Sequence, residues 1–213
     1  MKRVYFSPSN QEHNVGVGTY GTEERRMHEL ATLCILKMRR FGDAFTTRKS
    51  LPEWDMTAVC SDSNRWKSDI HVCLHSNAGS PASDGTIGFY GSDAGRRLTQ
   101  LIYKYVAALS PGSDYGIKEW GALFEIRHTV APCAYLEVIF HTNRIEAADL
   151  IARRDKYAEA IVHGICDYFH VAYTLERPLD RTHIRQLIDK APSIDLAWLL
   201  QTTRRELAER DNV

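Results

Sequence analysis

The sequence has no hydrophobic run long enough to cross a membrane: nothing in its 213 residues approaches the roughly 18 apolar residues that a span requires. It also has no net charge. Lys and Arg total 27, as do Asp and Glu, which excludes the basic excess of a general nucleic-acid binder. Paired cysteines are missing. The five present (Cys34, Cys60, Cys73, Cys133, Cys166) are odd in number and show no Cys-x-x-Cys spacing. They read as small core residues in a reducing compartment, not as a disulfide scaffold. After Met1-Lys2-Arg3 only three apolar residues precede Ser7-Pro8, so no secretory signal is visible. There is no internal repeat and no low-complexity tract.

What remains is an ordinary globular composition, 44% hydrophobic and 25% charged, which excludes disorder as the main state. At about 150 residues per domain, the length suggests one domain and a small appendage. Val4 to Ser7 reads as a strand stopped by Pro8, and residues 9–21 as a glycine-containing loop. Thr22 is the expected N-cap of a helix whose stripe is Met27, Leu30, Ala31, Cys34 and Met38, ended by Gly42. Strands are expected at 43–47, 68–74 and 86–90, and a helix after Ser92. A long loop is expected over 110–122, around Pro111, Gly112, Gly116 and Gly121. Ala134 to Phe140 is nearly all apolar, as in a central strand buried on both faces, and a long helix over 144–170 follows. Alternating strands and helices predict an α/β fold: a mostly parallel twisted sheet with helices on both faces. The expected domain is 1–173. Residues 174–213 are expected to form a helical C-terminal extension that packs on the body or mediates self-association.

Glu137 interrupts that apolar run. Burying an unpaired carboxylate costs several kcal/mol, so the residue needs a cation, a metal or a proton. An ion pair with an arginine would satisfy it; a catalytic carboxylate beside a bound cation is the other reading. His75 falls where its strand should end and a loop begin, the edge at which open α/β sheets bind ligands. His71 and Cys73 lie deeper and read as structural. His13, in the first loop, and Glu23, opening the first helix, fall on the same rim. Two imidazoles and a carboxylate are a common catalytic zinc set, and a further carboxylate can take the proton of a water.

Four stretches then carry a family resemblance over roughly residues 3–171. They are Val4-Tyr5-Phe6-Ser7-Pro8-Ser9 through His13; Gly21-Thr22-Glu23-Glu24 with Leu30-Ala31; Ser63-Asn64, Ser68-Asp69 and His75-Ser76-Asn77-Ala78 with Gly85 and the strand to Tyr90; and Leu123 to Arg127, Pro132 and Leu136-Glu137-Val138-Ile139-Phe140 with Asn143. Together they resemble the zinc-dependent N-acetylmuramoyl-L-alanine amidases of bacterial wall hydrolases and phage endolysins. The resemblance implies hydrolysis of the bond between N-acetylmuramic acid and L-alanine in peptidoglycan. It implies a Zn2+ held by His13, Glu23 and His75, with Glu137 as base. Leu30-Ala31 sets the register that favours Glu23 over Glu24. The family's Gly-His-Gly-Gly is absent; Ser9-Asn10-Gln11-Glu12-His13 replaces it, which moves the histidine a few residues later. Arg127 and His128, just before the Glu137 strand, are the candidates for stabilising the tetrahedral oxyanion; a surface ion pair is the other reading of Arg127. Trp120, in the glycine-rich loop, could stack on a sugar. Cys133 near His128 offers a thiol hydrolase, but Pro132 and the apolar run favour a buried thiol. Other readings are a different zinc amidohydrolase or peptidase, or a metal-free wall-binding module. Without a visible export signal, a phage endolysin or a spore or mother-cell lysin is expected.

Overall fold

The computed structural model describes residues 1–173; the expected extension at 174–213 lies outside them. Six strands form one sheet: β1 (Lys2–Pro8), β2 (Phe45–Lys49), β3 (Ile70–Asn77), β4 (Thr86–Tyr90), β5 (Asp114–Glu119) and β6 (Cys133–Phe140), in the order β2-β1-β3-β6-β4-β5. Every neighbouring pair is parallel except β4 with β6. The α/β fold with a mostly parallel sheet is thus the one expected. The helices are α1 (Glu23–Met38), α2 (Met56–Trp66), α3 (Asp93–Ala107), α4 (Phe124–His128) and α5 (Arg144–Phe169).

The strand pattern divides the sheet into two chemically different faces. Val4, Phe6, Val72, Leu74, Ala134, Leu136 and Val138 are all fully buried and apolar, and α1, α3 and α5 pack against one another over this side. The alternate positions are in register as a second set: Tyr5 with His71, Ser7 with Cys73, His71 with Cys133, Cys73 with Tyr135, and His75 with Glu137. This polar row is covered by α2 and α4. Asp62 of α2 accepts from the Tyr5 hydroxyl at 3.1 Å, and Ser63 meets His71 Nδ1 at 2.9 Å. The central run is therefore not apolar on both sides. Its odd-numbered residues, Glu137 among them, face the polar layer.

The first helix starts at its expected cap, with Thr22 Oγ1 accepting from the Arg25 N–H at 3.3 Å. It ends at Met38, before Gly42; a 3-10 segment, Arg39–Ala44, intervenes, with Gly42 at φ 57°. The expected loop over 110–122 contains β5 instead. This is an exposed edge strand bonded only to β4, interrupted by Gly116 at φ 71°, and it has no apolar alternation to announce it. Edge strands tolerate such polar, broken sequences because only one side must pair.

Gly164 of α5 lies against α3 so closely that an added Cβ would come within 2.4 Å of the Ile102 Cα and 2.6 Å of the Leu101 carbonyl oxygen. Gly164→Ala should destabilise the protein by about 1–3 kcal/mol through overpacking, despite the better helix propensity of alanine. A thermal melt reads this as a Tm several degrees lower; an unchanged or higher Tm would contradict the packing described.

Candidate active site

The polar row emerges at the carboxyl ends of β1, β3 and β6, where the first turn of α1 closes over it. His75, the sixth residue of β3, sits beside Glu137 across the β3–β6 ladder. Glu23 reaches it from the start of α1: Glu23 Oε1 is 2.9 Å from His75 Nδ1 and also accepts from the Ser76 N–H at 3.3 Å. Asn14 Nδ2 donates to Glu23 Oε2 at 2.8 Å. Both Glu23 and His75 are buried. Behind them Ser76 Oγ meets the Tyr20 hydroxyl at 2.7 Å and His141 Nδ1 at 2.9 Å, so an outer polar layer holds the β3 terminus.

The charges in this space are unbalanced. Burial pushes the Glu23 carboxyl up, but the hydrogen bond and charge of His75, with Asn14 and Ser9, outweigh it and leave it below the ordinary value. Burial opposes the charged form of His75, but its hydrogen bond to Glu23 and the negative charges of Glu137, Glu23 and Glu125 raise its pKa. Glu137 has no such compensation. Its burial, with Glu23 adding repulsion, lifts it to about 7 against the partial help of His75. Its Oε2 is buried without a hydrogen-bond partner.

His13, expected to complete the set, is not brought there. Its side chain is 93% exposed and lies 3.4 Å from Glu12. The loop turns so that the next residue, Asn14, faces Glu23 instead. Glu24 lies apart, in an open acidic hollow of about 520 Å3 with Glu12, Glu53 and Asp55, so Glu23 is the helix carboxylate that meets His75. Arg127 is exposed on α4; a cavity of about 320 Å3 beside His75 is lined from that segment by Leu123, Phe124 and Glu125. Trp120 is half exposed and stacks edge-on with Phe89. Cys133 is buried, its Sγ 3.6 Å from that of Cys73, away from the exposed His128.

Sequence reasoning missed Glu125, the one buried residue of α4. Its Oε1 accepts from the Ser7 hydroxyl and lies 3.3 Å from His71 Nε2, while its Oε2 is 4.0 Å from His75 Nε2. A polar residue at an inward position of a five-residue helix leaves no periodic signal. Among the described residues, His71, Cys73 and Cys133 place donor atoms within 4.8 Å of one another, close enough to hold a metal ion. That trio is fully enclosed one layer below His75, and both ring nitrogens of His71 already have partners.

Comparison with known proteins decides the family. A model described as N-acetylmuramoyl-L-alanine amidase matches residues 11–167. The chain belongs to this family. No curated protein sequence matches it, but solved structures of amidases do. The catalytic domain of CwlV, an N-acetylmuramoyl-L-alanine amidase from Bacillus (Paenibacillus) polymyxa var. colistinus, is 24% identical with a TM-score of 0.72, covering 81% of this chain and all 100% of that one. AmiC2 of Nostoc punctiforme is 18% identical with a TM-score of 0.70, over 79% of this chain and 97% of its own. The catalytic domain of the CD27L endolysin, targeting Clostridia difficile, is 14% identical with a TM-score of 0.67, over 82% and 100%. The amidase described here is accordingly a peptidoglycan hydrolase on an α/β sheet.

The raised carboxyl of Glu137 sets a sign for stability. Its folded pKa of about 7 exceeds the 4.5 of a free glutamate side chain, so its contribution is fully present below about 4.5 and is lost as pH rises through 7. At about 1.4 kcal/mol per pKa unit, the loss is on the order of 3 kcal/mol. Metal-free Glu137→Gln should lack it, becoming more stable than the parent above pH 7 and no more stable at pH 4. Denaturant melts across that range measure the difference; parallel pH profiles would refute the assignment.

Proposed function

We propose that the amidase cleaves the lactyl–L-alanine amide with a zinc ion held by Glu23 and His75 and with Glu137 as the general base. The observation that supports this reading most is the orphaned, buried Glu137 Oε2 beside the Glu23–His75 pair. The residues fit a divalent cation. The carboxylate oxygen and imidazole nitrogen are 2.9 Å apart, so moving apart to the edge of about 3.3 Å of a tetrahedral shell with bonds of about 2.0–2.1 Å would seat an ion between them. The nitrogen and oxygen donors suit zinc, and a double positive charge offsets the second buried carboxylate.

A bound zinc supplies Lewis acidity that polarises the scissile carbonyl and acidifies a water. Glu137 accepts the proton of the attacking water on its unpartnered oxygen and delivers it to the departing alanine nitrogen. That oxygen has no hydrogen bond to give up before it takes the proton. Burial of Glu23 and His75 keeps bulk water from competing. The adjoining cavity, with Ser9, Gln11 and Tyr135 on its walls, offers polar and aromatic contacts for the muropeptide. His13 takes no part, and Arg127 would need to swing from its exposed position to reach the oxyanion. Likeness to the CD27L endolysin catalytic domain supports an endolysin role, in which purified protein clears turbid suspensions of susceptible cells.

The activity is tested by digesting purified peptidoglycan and weighing the products: intact glycan strands and free stem peptides beginning with L-alanine are expected, and peptides still bearing muramic acid would reject the amide assigned. Glu137→Gln should keep about one zinc per chain and lose at least about 100-fold in turnover. His75→Ala should lose the metal, whereas His13→Ala should change neither metal content nor rate. Metal analysis with the same digestion distinguishes these; a zinc-free His13→Ala would return that residue to the site.

A further inference from the structure

Glu125 is a buried carboxylate that the hydrolysis just described does not use. Three side chains surround it. Ser7 donates its hydroxyl to Oε1, His71 Nε2 lies 3.3 Å from the same oxygen, and His75 Nε2 lies 4.0 Å from Oε2. His71 is in turn held at Nδ1 by Ser63 Oγ at 2.9 Å. Hydrogen bonds therefore link Ser63, His71 and Glu125 beneath the site, and a 4.0 Å step separates Glu125 from the His75–Glu23 pair. Burial raises the Glu125 carboxyl, but the bond and charge of His71, the charge of His75 and the bond from Ser7 leave it lowered.

The two nitrogens of His75 face different partners. Nδ1 is at Glu23, and Nε2 looks towards Glu125. An imidazole that gives one nitrogen to a metal carries its proton on the other, and an outer carboxylate that accepts that proton fixes the ring and its tautomer. The 4.0 Å gap is an ion-pair separation that a small rotation of the carboxyl, or one bridging water, closes. We propose that Glu125 is a positioning residue: it accepts the Nε2 proton of His75 and so presents Nδ1, with Glu23, to the metal. This rests on the zinc reading above. Because His13 is exposed, Glu23 and His75 are the two expected ligands that this structure brings together, and an ion there would depend on their orientation correspondingly more. Ser7 and His71 occupy Oε1 and leave Oε2 as the oxygen available to His75.

The test uses the full chain and zinc alone, with affinity measured by competition against a chromophoric chelator. Glu125→Leu should weaken zinc binding about 10–100-fold. Glu125→Gln should also weaken it: with its amide oxygen taken by Ser7 and His71, its NH2 would meet the Nε2 proton of His75. In the zinc-loaded parent, proton NMR should show a slowly exchanging imidazole N–H that both variants lose. Cys60→Ala, which removes a buried thiol of α2 near Glu125, should change neither readout and so controls for general loosening. If Glu125→Leu does not fold, Ser7→Ala, which frees one bond to Glu125, should weaken zinc in the same direction by a smaller factor. Affinity within twofold of the parent in both Glu125 variants, or persistence of the ring proton, overturns the proposal. Complete loss of zinc from a folded Glu125→Leu would make Glu125 a ligand and overturn it equally. A parent that binds no zinc refutes the underlying metal reading, whereas a parent that binds zinc with unaffected variants refutes only the role of Glu125.

Discussion

Glu23 and Glu125 are buried, Glu137 has a buried carboxylate oxygen, and all three act on one imidazole, His75. Two of the three are reconciled with their surroundings: Glu23 by His75, Asn14 and a backbone N–H, Glu125 by Ser7 and His71. The third is not, and the deficit falls on Glu137. A low-dielectric pocket does not tolerate an excess of negative charge. It must import a cation or a proton, and these are the two things an amide hydrolase needs at its reacting centre. The same imbalance that makes the metal-free site unfavourable makes it a receptor for a divalent ion and a store for a proton.

The sheet makes this arrangement possible by separating its faces. Parallel strands in register place Tyr5, His71 and Cys133, then Ser7, Cys73 and Tyr135, then His75 and Glu137 in successive rungs. The apolar face, under α1, α3 and α5, supplies the burial that holds the fold. The polar face is then free to carry groups that contribute little to stability. The shift in the β3–β6 register between His75 and Asn77 ends the regular ladder just past the paired His75 and Glu137, where the rim opens to substrate.

Much of this was legible in the residues. The alternation of strands and helices, the Thr22 cap and a lone carboxylate in an apolar run gave the architecture and Glu137, because each is a local signal. Glu23 and His75 followed from the rule that loops at the carboxyl edge of a sheet converge. His13 was misplaced for a physical reason: the path of an irregular loop depends on tertiary contacts, such as Asn14 with Glu23 and Asn10 with the Trp54 carbonyl, and no periodicity encodes them. Glu125 was missed because a single inward residue in one helical turn has no pattern, and β5 because an edge strand needs none. β6 is covered on both faces, as expected of a central strand, but the polar character of one face was hidden by Tyr135 and Cys133, which resemble core residues in composition.

All five cysteines are free and buried, and burial pushes the thiols of Cys34, Cys60, Cys73 and Cys166 upward, away from the reactive thiolate. The fold described here therefore rests on packing and not on cross-links. The one place where oxidation could add a link is the Cys73–Cys133 pair, whose sulfurs lie 3.6 Å apart inside the polar layer.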